Sequence, residues 1–509
     1  MKMKKRIIAT MMVAIMTLSC LTGCGGKDEK KGGTSQTDVE IAFATSGLGT
    51  EWLDALIAAF KEKYPEYNVY YNEYASSAAT TTTFGLEDTD TVDIFVANKS
   101  YNTEMMEPLD EMLDSKADGE NMTIREKIAP AYLALETAAD GKVYTLTKGG
   151  GVLSIVYNKK LFEEAGVRTL PRTTDELASV CDTLSANDIT PFMHFASTGY
   201  WDFMSEVFFM QYDGVEYYLN EFYCGEPSLD KFTKKDGRYE TLKAYEKFIT
   251  PSYVLSGSNS NDHITMQTEF LKDKAAMMVN GSWLSNEMES LGAVDNFEMM
   301  KTPVISSITD KLTTVKKESD LRKVIDAVDS VTDGEKEASA YQDGENYLVD
   351  GISVSAADWD YISKARNTMA INYSGASMWI PKYSNAKEGA KEFIKFMYSD
   401  EGYKIYADSL HIALPVALSE GELDTTDWNA YEKNQYDLFS KAEQFATNYI
   451  AGKHSIFSDG GASSFAGWAY VNKFCSNNVS DLQNASQAWD SIVQRINNDY
   501  ENNWMANIK

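Results

Sequence analysis

One apolar run limits how this chain can fold: Ile7 to Leu21, at the very start of 509 residues, with no later stretch comparable to it. At about fifteen residues it falls short of the roughly 20 that a membrane-spanning helix requires. Everything from about Asp38 onward must therefore fold in water and bury its apolar side chains within itself. That is about 470 residues, more than one hydrophobic core usually spans, so at least two lobes are expected.

The run is flanked in the manner of an export signal. Lys2, Lys4, Lys5 and Arg6 precede it, and it closes on Leu21-Thr22-Gly23-Cys24. Small residues ahead of a cysteine are similar to a bacterial lipobox, in which the peptide is cut before the cysteine and the sulfur carries a diacyl lipid. Residues 1–23 are read as a signal peptide and Cys24 as the lipidated amino terminus. The competing readings are a plain secretory signal with an incidental thiol, or an uncleaved helix. Cys20 fits less well, because Leu18 stands where a small residue is preferred. Residues 24–37 contain no apolar anchor and read as a flexible tether. The expected location is the extracellular face of the cell membrane, held by the lipid alone.

Charge and cysteines narrow the function classes. With 76 acidic against 47 basic residues the formal charge is −29, and it becomes more negative once the basic leader is removed. Such a surface argues against nucleic acid or anionic lipid as partner. A solvated acidic surface is a sufficient account of it, and it does not identify a ligand. Cys181, Cys224 and Cys475 are too few and too widely spaced for a disulfide framework and contain no CxxC pair. Cys181 falls on the helical stripe of Leu177, Val180 and Leu184 and reads as a core residue, whereas Cys224 and Cys475 either pair or stay free. The histidines at 194, 263, 411 and 454 form no HExxH, and there is no GxSxG elbow or P-loop. No enzyme, metal or cofactor is expected, and abundant carboxylates do not by themselves make a glycosidase pair.

The patterning alternates between strand and helix. Strands are expected near Val39–Ala44, Asn68–Glu73 and Thr91–Ala97, with a helix carrying Leu53, Leu56, Ile57 and Phe60 after a cap at Thr50. Thr173 and Glu176 predict a capping box opening a helix near Thr174. Further helical stripes are Leu321-Val324-Ile325-Val328, Ala390-Phe393-Ile394-Met397 and Ala485 to Ile496. The alternation implies mainly parallel sheets covered on both faces, which bind ligands beyond the carboxyl ends of their strands. Residues 306–358 are charged and read as loops and short helices elaborating one lobe; they lack EF-hand spacing.

Five stretches in order resemble the carbohydrate-binding extracellular solute-binding proteins of ABC importers, family 1, the group that includes maltose-binding protein. They are Val92-Asp93-Ile94-Phe95 with Glu107-Pro108-Leu109-Asp110; Gly141-Lys142-Val143-Tyr144; Leu153 to Phe162 followed by Glu164-Ala165-Gly166-Val167; Phe270 to Met277 followed by Gly281-Ser282-Trp283; and Asn385 to Met397. The resemblance implies an α/β, two-lobed, periplasmic-binding-protein-like fold of type II with the ligand between the lobes. On it, residues 38–152 and 303–398 form lobe 1 and residues 153–302 and 399–509 form lobe 2. Crossovers are expected near 151–157, 300–304 and 398–403. The charged elaboration from Ser306 and the long carboxyl-terminal part depart from the family pattern.

Sugars need flat aromatic platforms with polar groups at the rim. Trp283 is the first candidate, since the family places a stacking residue after the small pair Gly281-Ser282; the alternative is a core tryptophan. Tyr200 and Trp201 follow a turn-rich segment and read either as a binding loop or as hydrophobes closing a helix end. Phe465 and Trp468, after the polar lead Ser458 to Ser464, read as cleft aromatics or as packing residues. Asn98, Lys99 and Ser100 follow the strand of Asp93, and Glu51 opens the first helix, so all four fall at the first lobe's sheet end. Asp93 itself can serve as a backbone cap. The expected function is capture of a sugar or oligosaccharide by a monomer that delivers it to ABC permease subunits. The alternatives are a surface glycoside hydrolase, or a receptor for a polyamine, peptide or metal.

Overall fold

The structure is a computed structural model that describes residues 36–44, 48–74, 92–97, 103–138, 140–149, 151–196, 200–288, 294–372, 377–447, 471–476 and 478–500. The expected signal peptide, Cys24 and nearly all of the tether lie outside these residues. Among the described residues no helix is long and apolar enough to cross a membrane.

The first lobe begins with β1 (Thr37–Ala44), α1 (Glu51–Lys63) and β2 (Tyr67–Tyr74), and β2 lies parallel to β1 with Thr37 opposite Tyr67. β3 (Val92–Ala97) runs parallel along the other side of β1. The period of two along β1 splits its side chains between two cores. Val39, Ile41 and Phe43 join Trp52, Leu53, Leu56 and Phe60 of α1, while Ala42 joins Phe95, Ala97 and Trp379 on the opposite face. Register slips between Glu40 and Ile41, where the buried Asp93 carboxylate accepts the Glu40 amide at 2.9 Å and the Ser384 hydroxyl at 2.6 Å. Thr50 flanks α1 without a side-chain capping bond; the Glu51 carboxylate accepts the Thr50 amide instead. β4 (Leu146–Thr147) closes this part of the chain.

The second lobe starts at β5 (Val152–Asn158) and continues through α2 (Thr174–Ala186), β6 (Phe192–Met193), α3 (Tyr200–Val215), α4 (Gly237–Phe248), α5 (His263–Leu271), β7 (Met277–Gly281), α6 (Leu284–Glu287) and β8 (Phe297–Met299). β7 and β8 pair antiparallel with β5, and β6 parallel with β7. Thr173 accepts the Glu176 amide, but the Glu176 carboxylate takes the amide of Arg172, so the predicted capping box is one-sided.

Residues 300–304 do not leave this lobe. The Met300 amide donates to the Ile155 carbonyl, the Val304 amide to that of Arg172, and the Ser154 and Thr302 hydroxyls meet at 3.0 Å. The elaboration that follows is more regular than loops and short helices. It holds α7 (Glu318–Thr332), an antiparallel sheet of β9 (Gln342–Asp343), β10 (Asn346–Val349) and β11 (Ile352–Ser355), and α8 (Ala356–Arg366). β12 (Thr368–Ile371) then pairs with β5, so residues 303–372 sit with the second lobe and not with the first, as the expected boundaries had it.

The chain returns to the first sheet as β13 (Ser377–Trp379), antiparallel to β3 and β4, and then forms α9 (Lys387–Met397) and α10 (Asp400–Leu410). α10 packs on α1, which places 400–410 in the first lobe and corrects the expected boundary at 399. α11 (Ala430–Ser440), β14 (Gln444–Ala446) and α12 (Ala485–Asp499) finish the second lobe, β14 lying parallel to β12. The crossovers are therefore at 147–152, 371–377 and 410–430. The result is a mixed α/β fold built on two sheets.

Candidate functional site

Strand directions locate the site. In the first sheet β1, β2 and β3 run in parallel and β13 runs against β3 and β4, so the carboxyl ends of β1 to β4 and the start of β13 share one edge. In the second sheet β6, β7, β12 and β14 run against β5, so their carboxyl ends share an edge with the start of β5. The first two crossovers join these two edges, from β4 to β5 and from β12 to β13. The two edges therefore border the same crevice.

On the second lobe this edge carries Tyr200 at the start of α3 and Trp283 just before α6. The Trp283 indole N–H donates to the Tyr200 hydroxyl at 2.9 Å, and the rings meet edge-on with centroids 5.3 Å apart. Phe195 lies edge-on to Tyr200 at 4.8 Å. The six-membered ring of Trp283 rests on Gly281, where a Cβ would come within 2.3 Å of it, and only 8% of Trp283 is exposed. It is thus a wedge between Gly281 and Tyr200 with little open face. Glu287, one turn after Trp283, accepts from Gln267 Nε2 at 2.9 Å, and burial raises its carboxyl pKa. Burial and the Glu287 charge together push the Tyr200 hydroxyl upward, so it stays protonated.

Trp201 goes elsewhere. Successive helical residues point about 100° apart, and Trp201 turns into the core against Phe192, Tyr245 and Phe248 with 1% exposure. That is the packing role weighed for it, and no ligand reaches it in this conformation. On the first lobe Glu51 is exposed at the carboxyl edge. Asn98, Lys99 and Ser100, which follow β3 at that edge, and Phe465 and Trp468, which follow β14, lie outside the described residues. Tyr200, Trp283 and Glu51 are therefore the sequence-derived candidates that the edges carry within the described residues.

Two residues were not singled out by sequence reasoning. Lys148 stands where the first crossover leaves β4; it is 1% exposed, with Nζ 4.8 Å from the Phe43 ring centroid and 5.6 Å from that of Trp52. Desolvation lowers its pKa to about 8. The signal available for it was a lysine directly before the run Gly149-Gly150-Gly151. Glu287 had no signal beyond its spacing of four from Trp283. Among the described residues no group of histidine, cysteine and carboxylate side chains is arranged to hold a metal. Cys181, Cys224 and Cys475 are all free thiols, so the second and third do not pair.

Residues 46–404 match the family described as bacterial extracellular solute-binding protein. An uncharacterized ABC transporter extracellular-binding protein of Pyrococcus horikoshii is 22% identical over 328 residues, 60% of this chain and 71% of that protein. Among solved structures, the apo form of RafE from Streptococcus pneumoniae aligns with a TM-score of 0.59 and 14% identity over 92% of this chain and 99% of that one. RafE has also been solved in complex with raffinose. A binding protein of an ABC transporter from Bifidobacterium animalis subsp. lactis, in complex with mannobiose, aligns with a TM-score of 0.56 and 18% identity over 92% of this chain and 95% of that one. With most of its length inside the family match and two sheets facing one crevice, the chain belongs to the bacterial extracellular solute-binding proteins, the receptors of ABC transporters.

Proposed function

We propose that this receptor captures a sugar or oligosaccharide between its lobes and hands it to ABC permease subunits, anchored outside the cell by a lipid on Cys24. The observation that carries the reading is the aromatic and polar edge of the second lobe, where Phe195, Tyr200 and Trp283 interlock beside the Glu287 carboxyl. Aromatic surface rimmed by hydrogen-bonding groups suits a ring with apolar faces and a fringe of hydroxyls. The raffinose and mannobiose in two structural neighbours point the same way. Glu51, Asn98, Lys99 and Ser100 from the first lobe and Tyr200, Trp283, Phe465 and Trp468 from the second are the proposed contacts. Trp283 serves chiefly by holding Tyr200.

As a receptor the protein does no chemistry on its ligand. A ligand that touches both lobes binds the closed form better, so it shifts an existing open–closed equilibrium by that difference in affinity. A thermal-shift screen of the purified protein against mono- and oligosaccharides tests the reading. A sugar at a hundredfold excess over its Kd adds about 2.7 kcal/mol to stability. Stabilisation by a polyamine with none by any sugar would overturn it. The anchor is tested separately: Cys24→Ser should move the protein from the membrane fraction to the soluble one.

A further inference from the structure

The second lobe's edge holds a carboxylate with one oxygen engaged and one unengaged. Glu287 Oε2 accepts from Gln267 Nε2 at 2.9 Å, and Gln267 is completely buried on α5, so the carboxyl group is braced from behind. Among the described residues Oε1 accepts no hydrogen bond. Beside it, the Tyr200 hydroxyl has its oxygen occupied by the Trp283 indole N–H, while its own proton is uncommitted among the described residues. The edge thus offers an ionisable acceptor next to a neutral donor, the first held by Gln267 and the second by Trp283.

We infer that Glu287 is a specificity-determining contact: its free oxygen accepts a hydroxyl of a neutral sugar while Tyr200 donates to an adjacent ring or hydroxyl oxygen, an inference that rests on the sugar-receptor reading above. A polyhydroxylated ring supplies donor and acceptor together on neighbouring carbons. An acidic sugar would place its carboxylate against Glu287, and that like-charge contact excludes it. The same carboxylate accounts for Gln267 offering its amide donor toward α6, where it holds Glu287 in place.

The test measures Kd by calorimetry for the wild-type protein and for Glu287→Gln, with the best neutral sugar from the screen and with its uronic acid counterpart. A hydrogen bond to a charged acceptor corresponds to about ten- to a hundredfold in Kd. Glu287→Gln should weaken the neutral sugar by that factor and shrink the preference over the uronic acid. Wild-type binding with an unchanged Kd and unchanged preference in Glu287→Gln would overturn the inference and leave Glu287 as a brace for Gln267. Failure of the wild type to bind any sugar would instead overturn the receptor reading. A second measurement needs no variant fold to be perfect. Among the described residues, the titratable groups facing Glu287 are Tyr200 on α3 and His263 on α5. Because burial raises the Glu287 carboxyl, wild-type preference for the neutral sugar should decline on mild acidification, and a preference independent of pH would count against the contact.

Discussion

Single residues at the second lobe's edge are set by close packing. Gly281 has no side chain because the Trp283 ring occupies that space, and a Cβ there would lie 2.3 Å from two ring carbons. Gly281→Ala should therefore push Trp283 off Tyr200, with a stability cost of about 1–3 kcal/mol of overpacking strain. A melting temperature and a sugar Kd that worsen together would support this, and an unchanged Trp283 emission spectrum would contradict it. Glu206 is a second residue whose surroundings decide its chemistry. Both of its oxygens lie 2.8 Å from the Tyr223 hydroxyl in a wholly buried site, and desolvation raises its pKa from 4.5 to about 7. A carboxyl raised on folding binds its proton more tightly in the native state. Its contribution to stability is complete below pH 4.5 and is lost as pH rises through about 7. Glu206→Gln should remove that decline, worth at most about 3 kcal/mol, as read by urea melts between pH 4 and 8. Neither Glu206 nor Glu287 stands out in a chain with 76 acidic residues, because their distinction is burial, which is a property of the folded chain.

At the scale of elements, the helices were the most legible part. The stripe Leu53-Leu56-Ile57-Phe60 is the buried face of α1, and Leu321-Val324-Ile325-Val328 that of α7. Caps were read less well: Thr50 makes no side-chain cap, and Glu176 bonds one residue away from its expected partner. These are choices between groups within an ångström or two, and neighbours such as Arg172 settle them. The segment from Ser306 to Ser355 shows the same limit. Its charge suggested loops, yet the Asp358 carboxylate at the start of α8 accepts the amides of Thr313, Thr314 and Val315. Those bonds organise the turn ahead of α7 and hold the Asp358 pKa down to about 2. Asp358→Ala should leave three amides without their acceptor. Faster hydrogen exchange confined to residues 313–315, with a stability loss on the order of 3 kcal/mol, is the expected result, and uniform exchange across the lobe would refute it.

At the scale of the molecule, the first crossover is packed differently on its two sides. Gly149, at φ 107°, leaves no room for a Cβ, which would fall 1.8 Å from the Tyr406 hydroxyl of the first lobe. Gly151, at φ 50°, abuts Ser282 of the second lobe, whose hydroxyl accepts the Val152 amide at 3.0 Å. Each lobe therefore packs against one glycine of this crossover, which makes the crossover a candidate pivot for the closure proposed above. Gly149→Ala should displace Tyr406 and change the compaction that ligand produces in small-angle scattering, while each lobe stays folded. Identical compaction in variant and wild type would rule out that pivot.

The amino-acid sequence by itself determined the α/β class, the expectation of two lobes and the periodic faces of five helices, and its motifs resembled those of the receptor family. The class, the lobes and the helix faces rest on length, residue type and spacing along the chain, which need no knowledge of distant partners. Tertiary structure alone decided which lobe residues 303–372 and 400–410 join, because that depends on β12 pairing with β5 and on α10 packing against α1 across long stretches of chain. It alone separated Tyr200 from Trp201, adjacent in sequence and opposite in fate, since the direction of a helix face is meaningful only once a core exists for it to face. It also turned Trp283 from an expected open platform into a wedge, through contacts with Gly281 and Tyr200 that only the closed packing of the second sheet's edge brings about.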